Sequence, residues 1–170
     1  MNLIEEDTQN ALNIIRDYCL KHNYRISVAE SVTAGMLQLM LSTCQNAGMF
    51  FSGGITAYSC FQKMKQLSII DENCVALDGV SKKLAEKMAL QICRRFNSDL
   101  SLSLTGYASK LPEKGIIDLY AYASFCLKGE IVFTEKFTTN TSNQLEAQHE
   151  YASSLIKLCG FSLEKKTAMT

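Results

Sequence analysis

The segment Ala29-Glu30-Ser31-Val32-Thr33-Ala34-Gly35 carries the most suggestive chemistry in the chain. The apolar stretch Ile26 to Ala29 reads as a short strand, and a helix is expected from about Val32 to Thr43. Ser31 and Thr33 stand at that junction. Backbone N–H groups of a first helical turn have no intrahelical partner. They stabilise negative charge, including charge developing on an oxyanion. A serine hydroxyl there is placed to attack a carbonyl. The same position suits a simple N-cap, and the segment alone leaves both readings open. A serine nucleophile needs a base. His22 falls at the end of the first expected helix and His149 on an accessible stretch of the last, so neither is a convincing partner. Lysine can serve where burial or neighbouring positive charge keeps it neutral. Thirteen lysines are present, so none is singled out by type. On its own residues Lys63 reads as a solvated helix charge, and Tyr58 as a half-buried strand tyrosine.

The elements that must position these groups follow from composition and pattern. The chain has 170 residues, 47% hydrophobic and 20% charged, with 17 basic and 17 acidic side chains. This is an ordinary globular composition, which argues against disorder, collagen-like repeats and a broad basic nucleic-acid footprint. No apolar run approaches the roughly 20 residues of a membrane span. The acidic start, Glu5-Glu6-Asp7, does not resemble a secretory signal, and a cytoplasmic location is expected. Seven cysteines, mostly in apolar stretches, read as reduced buried thiols rather than a disulfide framework. No metal-ligand spacing or dinucleotide fingerprint is visible, so no cofactor is expected.

Helices are expected over 5–22, 32–43, 61–67, 81–96 and 142–158. Strands are expected over 26–29, 49–58, 100–104, 116–127 and 131–137, the last two joined by a turn at Lys128-Gly129-Glu130. Gly53-Gly54 marks a bulge or close backbone approach. Leu100 to Leu104 alternates with serines, which suggests a strand covered on one face. Residues 71–79 read as loop. The order predicts an α/β fold, a three-layer α/β/α sandwich with a mixed central sheet. Residues 1–170 read as one domain, with 163–170 as a flexible tail.

Four stretches resemble the CinA C-terminal domain family, which includes nicotinamide-nucleotide amidohydrolases. Ala29-Glu30-Ser31-Val32-Thr33-Ala34-Gly35 resembles the family's Ala-Glu-Ser-Cys-Thr-Gly-Gly. Tyr58-Ser59-Cys60-Phe61-Gln62-Lys63 resembles its Tyr-Ser-Asn followed by lysine, and Thr105-Gly106 its Thr-Gly after a strand. Asp78 to Ala85 resembles a Gly-Ala-Val-Ser helix lead-in. The resemblance spans about residues 10–158. It implies Ser31 as nucleophile, Lys63 as general base, and Tyr58 orienting that lysine. It also implies a substrate wall of Thr33, Gly35, Thr105, Gly106 and Tyr107. The activity implied is deamidation of nicotinamide mononucleotide or a related small amide, in a homodimer with no organic cofactor. Phe50, Phe51, Phe61 and Met64 are a concentration of large apolar groups that could serve an interface, while each taken singly reads as a core residue.

The departures bear on substrate. Ala34 replaces a glycine and adds a Cβ. Tyr107-Ala108-Ser109-Lys110-Leu111-Pro112 stands where typical members carry a glycine-rich loop. No arginine follows Arg95, so the bidentate phosphate contacts implied by the family are missing. Lys110, Lys114 and Lys136 are the remaining sources of positive charge in these loops. A smaller or less anionic amide fits them better. The second reading is a catalytically inactive or altered CinA-like ligand-binding or interaction module.

Overall fold

A computed structural model describes residues 4–70, 74–76 and 78–169. The chain forms α1 (Glu6–His22), β1 (Ile26–Glu30), α2 (Met36–Ser42), α3 (Ala47–Phe50), β2 (Phe51–Thr56) and α4 (Cys60–Leu67). These are followed by α5 (Lys82–Phe96), β3 (Leu100–Gly106), a 3-10 turn (Pro112–Lys114), β4 (Leu119–Leu127), β5 (Glu130–Thr139) and α6 (Gln144–Ala168). The sheet order is β2-β1-β3-β4-β5. β1 pairs in parallel with β2 and β3, while β4 and β5 add as an antiparallel ribbon. α1 and α6 pack together on one face and α5 covers the other, giving the expected α/β/α sandwich with a mixed sheet.

The serines of β3 have a different meaning from the one their alternation suggests. Leu100 to Thr105 is buried throughout. Leu100, Leu102 and Leu104 join the core beneath α1 and α6. On the opposite face, Ser101 Oγ donates to the Ala89 carbonyl at 2.7 Å and Ser103 Oγ to the Ala85 carbonyl at 2.6 Å. Ala85 and Ala89 are one helical turn apart, and their small side chains let α5 lie close to the strand. The hydroxyls then use the second lone pair of each helix carbonyl, so polar residues are buried without an unmet hydrogen bond. A polar/apolar alternation normally means one wet face; here it means two dry ones.

Other boundaries shift for identifiable reasons. The expected buried strand 49–58 begins only at Phe51, because Ala47–Phe50 forms a helical turn, and β2 is a half-buried edge strand. A bulge opposite Ile26/Ser27 and the close approach at Gly54 match the Gly53-Gly54 reading: a Cβ at Gly54 would meet Val28 Cγ2 at 2.4 Å. The helix expected to end at Leu158 continues to Ala168, and the 163–170 segment expected as a tail is helical through that residue. Gly160 is not a stop signal there. It lets α6 cross α1 closely, with a Cβ at that position only 3.1 Å from Ala11 Cβ, and Leu163 beyond it is fully buried. Lys128 and Gly129 both have positive φ in the β4–β5 turn, 53° and 81°, as a tight hairpin requires. Of the loop expected over 71–79, residues 71–73 and 77 lie outside the described residues; 74–76, 78 and 79 are turns.

Candidate active site

The carboxyl ends of the three parallel strands converge on one cavity of about 330 Å³. Ser31 follows β1, Tyr58 follows β2, and Gly106-Tyr107 ends β3. Open α/β sheets place ligands at this edge, where helices and loops leave the strands.

The Ser31 turn is built by its neighbour Glu30. The backbone N–H of Ser31 donates to the Leu104 carbonyl at 2.9 Å, which carries the β1–β3 pairing one residue past the strand. The chain then turns instead of entering a helix at Val32. Ala34 has φ 52° and Gly35 has φ 112°, and α2 begins only at Met36. Ala34 thus occupies the left-handed region where the family pattern has glycine, a conformation a Cβ disfavours. Glu30, fully buried, receives Thr33 Oγ1 at 2.7 Å, Gly35 N at 3.1 Å, Leu37 N at 3.0 Å and Gln38 N at 2.9 Å. Two expectations are corrected here. Ser31 is not the cap of α2, since Gly35 holds that position. The N–H groups that open α2, those of Gly35, Leu37 and Gln38, are bound to the Glu30 carboxyl group and are not offered to an oxyanion.

Lys63 is the chemically unusual side chain. Ser59 caps α4 by accepting from Gln62 N at 3.2 Å, and Lys63 lies on the inner face of that short helix. It is 1% exposed. Its Nζ donates to the Tyr58 carbonyl at 3.4 Å, and Ser31 Oγ donates to the same oxygen at 3.3 Å. The two expected reacting groups therefore flank one acceptor, at one end of the cavity they both line. Burial lowers the Lys63 pKa to about 8, against the opposing pull of the Asp78 carboxyl. Roughly a tenth of the amine is then neutral at pH 7, against far less than a hundredth at the ordinary lysine value. Tyr58 acts on this arrangement through its main chain; its side chain is 64% exposed.

The remaining candidates separate into wall and support. Gly106 and Tyr107 line the cavity. A Cβ at Gly106 would fall 2.4 Å from the Tyr120 carbonyl oxygen, so the glycine serves the β3–β4 approach as well. Tyr107 stands edge-on to Tyr120, with its phenol pushed up to about 12 by burial and by Asp78. It borders the cavity without closing it. Thr33 and Gly35 are not in the wall, and both bind Glu30. Thr105 lies beneath the wall, its Oγ1 donating to the Gly79 carbonyl at 2.6 Å. That bond ties Gly79 to the end of β3 beside the amine, where a Cβ would sit 2.8 Å from Lys63 Nζ. Among the loop lysines, Lys114 reaches the cavity and pairs with Asp78 at 2.9 Å, whereas Lys136 sits over the Tyr120 ring at 4.2 Å.

Several contributors escape sequence reasoning. Helix α6 braces both rims, through Gln148 Nε2 to the Val32 carbonyl at 2.9 Å and Tyr151 Oη to the Tyr107 carbonyl at 3.1 Å. These contacts are more than forty residues apart in sequence, and no local pattern signals them. The expectation that all seven cysteines are free is also corrected. Cys60 and Cys74 form a disulfide, while Cys19, Cys44, Cys93, Cys126 and Cys159 are buried thiols. Among the described residues no group of three or more His, Cys, Asp or Glu side chains could hold a metal ion. No described helix is long and apolar enough to cross a membrane.

Comparison with known proteins bears on the family and the fold. A CinA-like protein from Dictyoglomus turgidum is 30% identical over 135 residues, 78% of this chain and 32% of that protein. Protein YdeJ of Escherichia coli is 29% identical over 116 residues, 68% of this chain and 66% of YdeJ. The chain thus spans about a third of the Dictyoglomus relative. A crystal structure of a competence-damaged protein (CinA) superfamily protein from Klebsiella pneumoniae shares the fold at TM-score 0.84 and 19% identity, covering 93% of this chain and 98% of that one. The competence/damage inducible protein CihA from Agrobacterium tumefaciens does so at TM-score 0.81 and 18% identity, covering 96% and 99%. The profile of the CinA C-terminal domain matches residues 8–156, and the chain belongs to that family.

Proposed function

We propose that the protein is an amide hydrolase using Ser31 as nucleophile and Lys63 as general base. The observation that carries this reading is the buried Lys63 amine, with its pKa lowered to about 8, sharing the Tyr58 carbonyl with the Ser31 hydroxyl at a cavity. Neutral Lys63 takes the Ser31 proton as Oγ attacks the amide carbon, and the tetrahedral adduct collapses as that proton passes to the leaving nitrogen. Ammonia departs and leaves an ester on Ser31. Water, deprotonated by the same amine, then attacks the ester and releases the acid and Ser31. Lys63 withdraws from the Tyr58 carbonyl to make each transfer.

Nicotinamide mononucleotide is the substrate suggested by the family, and a related small amide is the alternative within the same chemistry. The neutralised Lys114–Asp78 pair at the rim supports a less anionic substrate. The cavity volume suits a small ligand. We also read the protein as a cytoplasmic homodimer that binds neither nucleic acid nor membrane. Phe61 and Met64 are exposed on α4 beside the site and suit an interface, whereas Phe50 belongs to the core.

The binding-module reading draws on a specific observation, the uptake of the Gly35, Leu37 and Gln38 amides by Glu30, which withholds the start of α2 from an oxyanion. Ammonia release from a panel of amides including nicotinamide mononucleotide separates the two. The hydrolase reading expects release by the parent protein, reduced about a thousandfold or more in Ser31→Ala and Lys63→Met. Tight binding of a panel member without release favours the module.

A further inference from the structure

We propose that Cys60 and Cys74 are a reversible thiol–disulfide site that fastens the Asp78-Gly79 turn over the Lys63 amine. Three contacts connect the sulfurs to the cavity. Cys60 is the first residue of α4, three positions before Lys63, and it lines the cavity. Its sulfur is bonded to that of Cys74, with the two Cα atoms 6.1 Å apart. The Cys74 carbonyl accepts from Gly79 N at 2.7 Å, and Gly79, with φ +69°, leaves room for no Cβ beside Lys63 Nζ. One covalent bond thus ties the helix that carries the amine to the turn that shuts it from water. Cys60 is half-buried at the cavity wall, within reach of small thiols, while the five remaining cysteines are buried.

Formation of the bond is a two-electron exchange with a small-molecule disulfide of the oxidised glutathione type. The Cys60 thiolate attacks one sulfur of the reagent and expels one thiolate, giving a mixed disulfide. The Cys74 thiolate then attacks Cys60 Sγ and expels the second. Two protein thiols become one disulfide, and one reagent disulfide becomes two thiols; a dithiol reverses the sequence. Without the bond, the turn keeps the Thr105–Gly79 hydrogen bond and the Asp78–Lys114 pair. Lys114 is half exposed, so that pair is a weak fastening. Water then gains the amine, whose surroundings are Asp78, Lys114, Tyr107 and the Ser31 hydroxyl. A consequence for turnover rests on the hydrolase reading; the consequence for the amine does not.

The test uses the full chain, oxidised with glutathione disulfide or reduced with dithiothreitol, together with Cys60→Ser. Non-reducing peptide mass spectrometry should find Cys60 joined to Cys74 only in the oxidised sample. NMR titration of 13C-labelled lysines, with Lys63 assigned from Lys63→Met, should place Lys63 near pH 8 when oxidised. Its midpoint should move toward the ordinary lysine value in the reduced protein and in Cys60→Ser, lowering the neutral fraction at pH 7 roughly tenfold or more. An identical Lys63 midpoint in oxidised and reduced protein overturns the proposal, as does failure of the two cysteines to join. A midpoint that follows redox state with no ammonia release in either form sustains this site and fails the hydrolase reading alone.

Discussion

Lys63 is held in conflict with its own charge, and both its chemistry and its cost follow from that. The unfolded chain binds its proton up to the ordinary value of 10.5, the folded chain only up to about 8. Below pH 8 the penalty is fully present. Between the two values the unfolded state binds more protons, so stability rises with pH. Lys63→Met removes the penalty, which at 1.36 kcal/mol per pH unit is of order 3 kcal/mol. Urea denaturation should therefore find Lys63→Met more stable than the parent at pH 7, with the advantage shrinking as pH rises toward 10. Glu30 is the opposite case, a buried group whose hydrogen bonds are all met. Glu30→Ala strands four donors and should cost about 3 kcal/mol or more by the same measurement.

At the scale of elements, α6 is the part whose role depends most on length. Leu163 lies beyond the point where a glycine would ordinarily end a helix, yet it is fully buried. Leu163→Ala should destabilise by about 2–5 kcal/mol in thermal or urea unfolding, while Phe161→Ala, on the half-exposed side, should change stability little. The outcome separates a docked helix from a loose tail. Element types were legible from periodicity in α1, α5 and the β4–β5 hairpin, where apolar spacing and turn residues agree. They were less legible where tertiary contacts decide. The β3 serines look like a solvated face until α5 supplies carbonyls for them. The helix end expected at Leu158 holds until α1 supplies a surface that Gly160 lets α6 approach. The stretch after Ser31 looks helical until the Glu30 carboxyl group draws the α2 amides back toward β1. Ser31 and Lys63 were legible by resemblance, and the buried surroundings that alter the lysine were not.

Over the whole molecule, the mixed sheet gathers the site at one end. Three parallel strands bring Ser31, Tyr58 and Gly106 to the same edge, and α6 spans the back of the sandwich to hold two of the connecting loops. Removing one brace, in Tyr151→Phe, frees the Tyr107 carbonyl and should cost about 1 kcal/mol of stability. If Tyr107 shapes the substrate wall, the same variant should raise KM more than it lowers kcat. Sedimentation equilibrium tests the assembly: the homodimer reading expects twice the chain mass, and Phe61→Ser should shift it toward monomer. The Lys63 amine carries the proposed chemistry, so the decisive measurement is the pH dependence of kcat/KM for ammonia release from nicotinamide mononucleotide or the best amide found. The predicted profile rises with pH to a plateau, with its midpoint near 8, and is lost in Lys63→Met. Release that continues in Lys63→Met with the same profile would contradict it.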